Sequence, residues 1–449
     1  MKKIIALMLA GAAALSLVAC GSTPAAETNA SKGSQSEASQ AEGAISGESK
    51  AGEAAELGGS IVYWSMWQET EPQADILKAA IEEFKNANPG VEVEVEWQGR
   101  GVRDLVSAAV AAGEKVDIFD SDPTYFYQTD PSIMMDLTDF FASASADGTG
   151  TVGDSLLSGL IDWDKAMSAD YADGNSHTVP YNPYCIDFFY NTDHFAAAGI
   201  EKLPETWEEL DAACAALKAA GYEPIVTDDA YSNMMFAYYL VRLVGEDTIK
   251  SMCDASNFEN EGVLNALKAM EDFAGKGYFA ASCKTNKYPA GQQQFARQEA
   301  SMYFNASFMA SENAETAGED FPYGHFAYPT VPGGTGLITE NSIGGQAFVV
   351  NSNTDNKDAA YELLRYFVGG NCQKDFLDHG LTPNLASLEW PAALMEQKPI
   401  VAAVTKNINW GASLSGELAD SVVKENVLAV MLGEKSADDA YKTIVDASK

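Results

Sequence analysis

From residue 60 onward, hydrophobic and polar positions alternate along the chain in blocks of changing period. Ser60-Ile61-Val62-Tyr63-Trp64 is a short β-branched and aromatic run and predicts a strand. From Glu71 to Asn86, Ile76, Leu77, Ala80, Ile81 and Phe84 recur at helical spacing, and Asn88-Pro89-Gly90 supplies the stop. Val91, Val93, Val95 and Trp97 then alternate with Glu92, Glu94 and Glu96, the period-two pattern of a strand with one acidic face. A helix over Val102 to Ala112 and a strand at Lys115-Val116-Asp117-Ile118-Phe119 complete the block. Strand, helix, strand, helix, strand predicts a parallel, doubly wound α/β sheet, in which ligands sit at the carboxyl ends of strands. Here those ends are Trp64–Glu69 and Asp120–Tyr127. Further on, Thr206-Trp207-Glu208-Glu209-Leu210 opens a helix in a capping-box pattern, where Trp207 should pack rather than face a ligand. Asp358 to Val368 forms an amphipathic helix closed by Gly369-Gly370. The Gly-, Pro- and Thr-rich stretch from Tyr328 to Gly345 reads as a loop leading into a strand at Ala347–Val350.

The N-terminus bears on the compartment. Lys2 and Lys3 precede an apolar run from Ile4 to Ala19, the length of a secretory leader and short for a membrane span. It ends in Leu17-Val18-Ala19-Cys20-Gly21, which resembles the bacterial lipobox. That resemblance implies removal of residues 1–19 and lipidation of Cys20. Residues 21–58 carry almost no large apolar side chain and cannot offset their chain entropy by burial, so a flexible tether is expected over 20–58. No later stretch is long and apolar enough to span. The acyl chain on Cys20 is then the expected attachment, placing the body at the extracytoplasmic face of the cell membrane.

Composition narrows the chemistry. Across 449 residues, 65 Asp and Glu outweigh 28 Lys and Arg for a formal net charge of -37, which argues against nucleic acid or an anionic membrane surface as partner. A hydrophobic content of 46% suffices for a large core. The histidines, His177, His194, His325 and His379, are scattered with no HExxH, so neither metal nor cofactor is expected. Cys185, Cys214, Cys253, Cys283 and Cys372 lack a CxxC or metal-ligand spacing and are expected mostly as buried thiols, a Cys253–Cys283 disulfide being the alternative. There is no Gly-x-Ser-x-Gly elbow and no P-loop; Gly333-Gly334-Thr335-Gly336 lacks the lysine. An exported glycoside hydrolase is the enzyme alternative and would need two carboxylates about 5–10 Å apart.

The run from Val179 to Phe195, Val-Pro-Tyr-Asn-Pro-Tyr-Cys-Ile-Asp-Phe-Phe-Tyr-Asn-Thr-Asp-His-Phe, resembles the signature segment of carbohydrate-type (family 1, maltose-binding-protein-like) extracellular solute-binding proteins, the receptors of ABC importers. Tyr181 and Asp187 depart from its usual choices. Gly199-Ile200 through Pro204-Glu205-Thr206-Trp207, Glu299 to Asn305, Ser342 to Phe348, and Asp358 to Glu362 are similar to four later segments of that family, in order. The resemblance covers about residues 59–449. It implies a bilobed periplasmic-binding-protein fold: lobe 1 from 59–186 and 342–380, lobe 2 from 187–341 and 381–449, with a hinge that closes on the ligand. It implies a non-enzymatic, monomeric receptor that captures a mono- or oligosaccharide and delivers it to ABC permease subunits. A polyamine, peptide or chelate is the alternative solute.

A sugar presents C–H faces to aromatic rings and hydroxyls to paired polar groups. The resemblance puts the cleft at Trp64, Trp67, Gln68, Asp120, Asp122 and Tyr125 in the first lobe, and at Tyr181, Tyr184 and Gln346 in the crossings. In the second lobe it puts Tyr231, Asn233, Asn305, Phe308 and Trp410 there. Stacking is expected of Trp67 and Trp410, while core packing competes for Trp64 and turn or helix capping for Asp120 and Asp122.

Overall fold

The computed structural model describes residues 57–449; the leader, Cys20 and most of the tether lie outside the described residues. The strands are β1 (Gly59–Ser65), β2 (Val91–Trp97), β3 (Ile118–Ser121), β4 (Val179–Asn191), β5 (Met302–Ala306), β6 (Tyr323–Phe326), β7 (Glu340–Asn341), β8 (Ile343–Val350) and β9 (Lys406–Asn407). Seven form one mixed sheet in the order β2-β1-β3-β8-β4-β5, with β6 also on β4, while β7 pairs with β9.

The first block keeps the predicted order of elements, although the third strand begins at Ile118 and runs to Ser121, three residues later than the Lys115 start expected. β1 pairs in parallel with β2 and β3, and the helix Pro72–Ala87 crosses between β1 and β2, burying Ile76, Leu77, Ala80, Ile81 and Phe84. Glu92 and Glu94 point outward from β2 while Val91 is buried. Within this sheet every pairing beyond β1–β3 is antiparallel: β8 runs against β3 and β4, and β4 against β5 and β6, while the separate β7–β9 pair is parallel. The sheet is therefore doubly wound in its first three strands and continued by long crossing strands.

Buried side chains fall into three clusters. The first draws on residues 61–181 and 348–381. The second draws on 186–331 and 408–444. A smaller third cluster, including Cys185, Phe189, Ile343 and Trp390, lies where the chain passes between them. β4 and β8 each belong to more than one cluster. The thirteen residues of β4 carry Tyr181 in the first and Ile186 in the second, so these two strands bridge the cores.

Thr206 and Glu209 form the reciprocal capping box, with Thr206 Oγ1 accepting from the Glu209 N–H at 3.2 Å and Glu209 Oε2 accepting from the Thr206 N–H at 3.1 Å. Trp207 stacks on Phe273 at 4.3 Å in the second core. Among the described residues the five cysteines are free thiols, four buried and Cys253 half-buried, so Cys253 and Cys283 are not bonded to each other. β8 starts at Ile343, four residues before the predicted strand, because Gly344 and Gly345 pair with Tyr184 and Pro183 despite their loop-like composition.

Candidate ligand-binding cleft

A cavity of about 500 Å³ opens between the Met66–Gln73 segment with Arg100 on one side and Tyr231, Ser307, Phe308 and Glu312 on the other, floored by Pro183, Tyr184 and Gln346. The floor depends on an irregularity in β4. Tyr181 pairs with Gln346, Pro183 with Gly345 and Tyr184 with Gly344, so Asn182 is an extra residue on β4. Asn182 adopts φ 45°, which asparagine tolerates, and Pro183 removes a ladder donor where the ladder is already broken. Three residues apart on a regular strand, Tyr181 and Tyr184 would face opposite ways; the bulge turns both toward the face of Gln346. Glycine at 344 leaves room for the ring, since a Cβ there would stand 2.6 Å from the Tyr184 hydroxyl and displace it. Burial, and then the charge of Asp122, push the Tyr184 phenol well up. Gln346 Oε1 is buried with no partner among the described residues, an unmet acceptor in a side chain that lines the cavity.

The first wall is rigid and charged. Asp120 is fully buried at the end of β3, accepting from Tyr63 Oη at 2.7 Å, from the Met66 N–H at 3.1 Å and from Tyr181 Oη. Burial pushes its carboxyl up to about 6 against these hydrogen bonds. Trp67 Nε1 donates to Tyr181 Oη at 2.7 Å, and the Arg100 guanidinium lies 4.6 Å from the Trp67 ring centroid. Arg100 also donates to Met66 O at 2.8 Å and forks onto Glu71 at 2.8 and 2.9 Å. Burial raises the Glu71 carboxyl, yet Arg100 and the Gln68 N–H hold it below the usual carboxylate range.

The second wall is aromatic. Trp410, 42% exposed, stands edge-on to Tyr184 at 5.5 Å and tilted against Phe308 at 6.2 Å. Phe308 is 6.4 Å from Tyr231, which meets Tyr288 edge-on at 5.5 Å. Burial pushes the Tyr231 phenol up to about 12, with Glu312 and Asp228 adding to it. Trp410 is presented by a tight turn in which Gly411, Ala412 and Ser413 all have positive φ. Glu246 Oε1 clamps that turn, accepting from the Asn409 N–H at 2.9 Å and from Ser413 Oγ at 2.6 Å.

Of the residues expected at the cleft, Trp67, Tyr184, Tyr231, Phe308 and Gln346 line this one cavity, and Trp410 joins their aromatic contacts. Trp67 sits at the edge of the lining and the remaining residues lie off it. Trp67 is only 5% exposed, its ring covered by Arg100, so it contributes an edge and not a stacking face. Asp120 and Tyr181 lie behind the wall, and Trp64 packs in the first core. Asp122 caps the helix Pro123–Thr129 by accepting from the Thr124 N–H at 3.0 Å, and burial raises its carboxyl. Tyr125 donates to Asp104 at 3.3 Å, away from the lining. Gln68 is exposed, its backbone N–H held by Glu71 at 2.6 Å. Asn233 sits in the first turn before the helix Met234–Val244, outside the lining. Asn305 is buried in β5, its Oδ1 taken by the Ala306 N–H at 2.8 Å and its Nδ2 without a partner among the described residues. The sequence reading missed Arg100, Glu71 and Glu312; Arg100, a lone cation between Gly99 and Gly101, offered the one usable signal.

The chain resembles several known proteins. Binding proteins of Brucella abortus and Brucella suis are 27% identical over 222 residues, 47% of this chain and 50% of theirs, so the match spans half the length of these curated relatives. Among solved structures, a chitin oligosaccharide binding protein superposes with a TM-score of 0.64 at 20% identity, covering 87% of this chain and 98% of its own. RafE in complex with raffinose gives 0.62 at 16% identity (87% and 100%), and a family 1 extracellular solute-binding protein from Bifidobacterium longum subsp. infantis gives 0.62 at 17% (87% and 99%). At such identities these likenesses establish the bilobed fold. Residues 68–369, well over half of the chain, match the bacterial extracellular solute-binding protein family, and the chain belongs to that family.

Proposed function

We infer that this protein is the receptor of an ABC importer, capturing a mono- or oligosaccharide between its lobes and handing it to the permease. The observation that carries the reading is the convergence of Tyr184, Phe308, Tyr231 and Trp410 on a cavity of about 500 Å³ that also holds the unpartnered Gln346 Oε1. Flat apolar faces beside unmet polar groups suit a sugar ring, and a ligand that touches both walls favours the state in which the lobes have closed on it. The sugar ligands named for the chitin oligosaccharide binding protein and for RafE support the same class. We place the protein at the extracytoplasmic face as a monomer, anchored through lipid on Cys20, with β4 and β8 as the hinge between lobes 59–186/342–380 and 187–341/381–449.

Hydrolysis is not part of this reading. Two carboxylates line the cavity: Glu71 is ion-paired with Arg100 and held low, unsuited to act as a general acid, and Glu312 Oε2 accepts from Tyr288 Oη at 2.5 Å and from Gln292 Nε2 at 2.9 Å. Asp120, with its raised pKa, has both oxygens occupied behind the wall. Thermal unfolding of the full chain against a panel of sugars, polyamines and peptides tests the ligand class, because binding only the folded state raises Tm with ligand concentration. Sugars should raise it. A shift by a polyamine or peptide alone, or cleavage of an oligosaccharide during incubation, overturns the proposal.

A further inference from the structure

A second cavity, of about 430 Å³, lies between the helix Ser158–Tyr171, which packs in the first core, and the helix Glu246–Asp254, which packs in the second, with the segment 404–409 running from the third cluster at Val404 to the second at Ile408. It is a groove between the two cores, and Lys250 reaches across it to Asp170 at 3.7 Å. Asn409 lines this groove, while the next residue, Trp410, stands against Tyr184 and Phe308 of the first cavity. The turn bearing Trp410 therefore separates two chambers, each within the range of about 300–1,000 Å³ over which small-ligand pockets form.

The exposed aromatic side chains follow the same line. Among the described residues, the large aromatic side chains left most open are Tyr171 at 42%, Trp410 at 42% and Tyr288 at 39%. Tyr171 lines the second chamber, Trp410 divides the two, and Tyr288 packs on Tyr231 beyond the first. Leaving apolar rings in water forfeits the free energy that burial would supply, so Tyr171 in the second chamber and Trp410 at its boundary with the first point to a ligand that covers both. Around Tyr171, the side chains of Gln128, Asn409 and Lys250 and the carboxylates of Asp162, Asp170 and Asp247 offer donors and acceptors of the kind hydroxyls take.

We propose that the groove lined by Tyr171 is a further saccharide subsite, so that the ligand is an oligosaccharide running from the Tyr231 chamber past Trp410 to Tyr171. This rests on the sugar-receptor reading and extends it from sugars in general to chains longer than the first chamber holds. Titration calorimetry of the full chain with xylo-, cello-, malto- and chito-oligosaccharides, from disaccharide to hexasaccharide, provides the test. In the series that binds, affinity should rise at least tenfold between the disaccharide and the longer members. Tyr171→Ala should weaken the longest ligand about tenfold, the factor given by about 1.4 kcal/mol of lost stacking, and leave the disaccharide unchanged. Tm without ligand should not move, since the ring is exposed. Equal affinity at all lengths, or a Tyr171→Ala variant that binds the hexasaccharide like the parent, refutes the second subsite while leaving a sugar receptor intact. Binding of no saccharide at any length refutes the reading beneath it.

Discussion

Glu246 lines the second chamber and not the first, so it should control the affinity of a short ligand held in the first chamber only through Trp410. Its buried carboxylate, 5% exposed, is the shared acceptor for the two ends of the turn that carries Trp410. That turn is costly, because Ala412 and Ser413 hold positive φ of 55° and 61°, a conformation worth about 1–3 kcal/mol per non-glycine residue. Hydrogen bonds to a charged acceptor contribute about 1.5–3 kcal/mol each, so the two to Glu246 roughly offset the strain. Glu246→Ala removes both and leaves the Asn409 N–H and Ser413 hydroxyl seeking other partners. The turn should then relax, and Trp410 should leave its place over Tyr184 and Phe308.

The expected result is a loss of disaccharide affinity of about tenfold or more, the disaccharide being short enough to stay in the first chamber, measured by calorimetry below the melting temperature of the variant. Glu246→Gln, which keeps one oxygen acceptor, should recover part of it. A merely structural role would lower stability and leave affinity alone, so the deciding measurement is the double variant. If Glu246 acts through Trp410, Glu246→Ala combined with Trp410→Ala should bind no more weakly than Trp410→Ala alone. Additive losses, or parental affinity in a folded Glu246→Ala protein, refute this account of the turn.

Other expectations follow from the same geometry. Deleting Asn182 removes the bulge and turns Tyr184 to the opposite face of β4, so sugar binding should vanish in a protein whose circular dichroism still reports the mixed α/β fold. Phe308→Ala should weaken binding about tenfold with little change in Tm, as read by calorimetry and thermal scans. Burial holds the Asp120 carboxyl at about 6, above its unfolded value, so the folded state retains a proton that the unfolded chain releases. Its contribution to stability is accordingly greatest at low pH and falls by about 3 kcal/mol as pH rises to about 6. Asp120→Asn lacks that dependence, and the Tm difference between variant and parent should move in the variant's favour from pH 4 to 6.5. Thr206→Ala should cost about 1 kcal/mol in denaturant unfolding and leave ligand affinity unchanged, since its capping box serves only the helix Trp207–Ala219.

Much of the fold could be read from local pattern, because the residues that decide it are neighbours in sequence. The Val–Glu alternation of β2, the apolar stripe of Pro72–Ala87 and the Thr206–Glu209 box each carry their own signal. The cleft is legible only in part, for a physical reason. Whether an aromatic ring faces a ligand or the core depends on what covers it, and the cover comes from distant chain. Trp67 looked like a free stacking face in a polar loop, but Arg100 lies over its ring and Tyr181 takes its indole proton. Asp120 resembled a sugar ligand at a strand end until Tyr63, Met66 and Tyr181 consumed its oxygens.

Tyr184 shows the opposite limit. Counting in twos from Tyr181 puts it on the wrong face, and only the pairing of β4 with β8 reveals that Asn182 does not count. The sequence around it does carry the physical signature of a bulge: an asparagine able to take positive φ, followed by a proline that cannot join a ladder. On the partner strand, consecutive glycines at 344 and 345 make room for the ring and for the Tyr181 carbonyl. Those four residues together specify which way Tyr184 points, and none does so alone. The information that builds the floor of the cleft is therefore present in the chain, distributed over two segments some 160 residues apart and readable once their register is known.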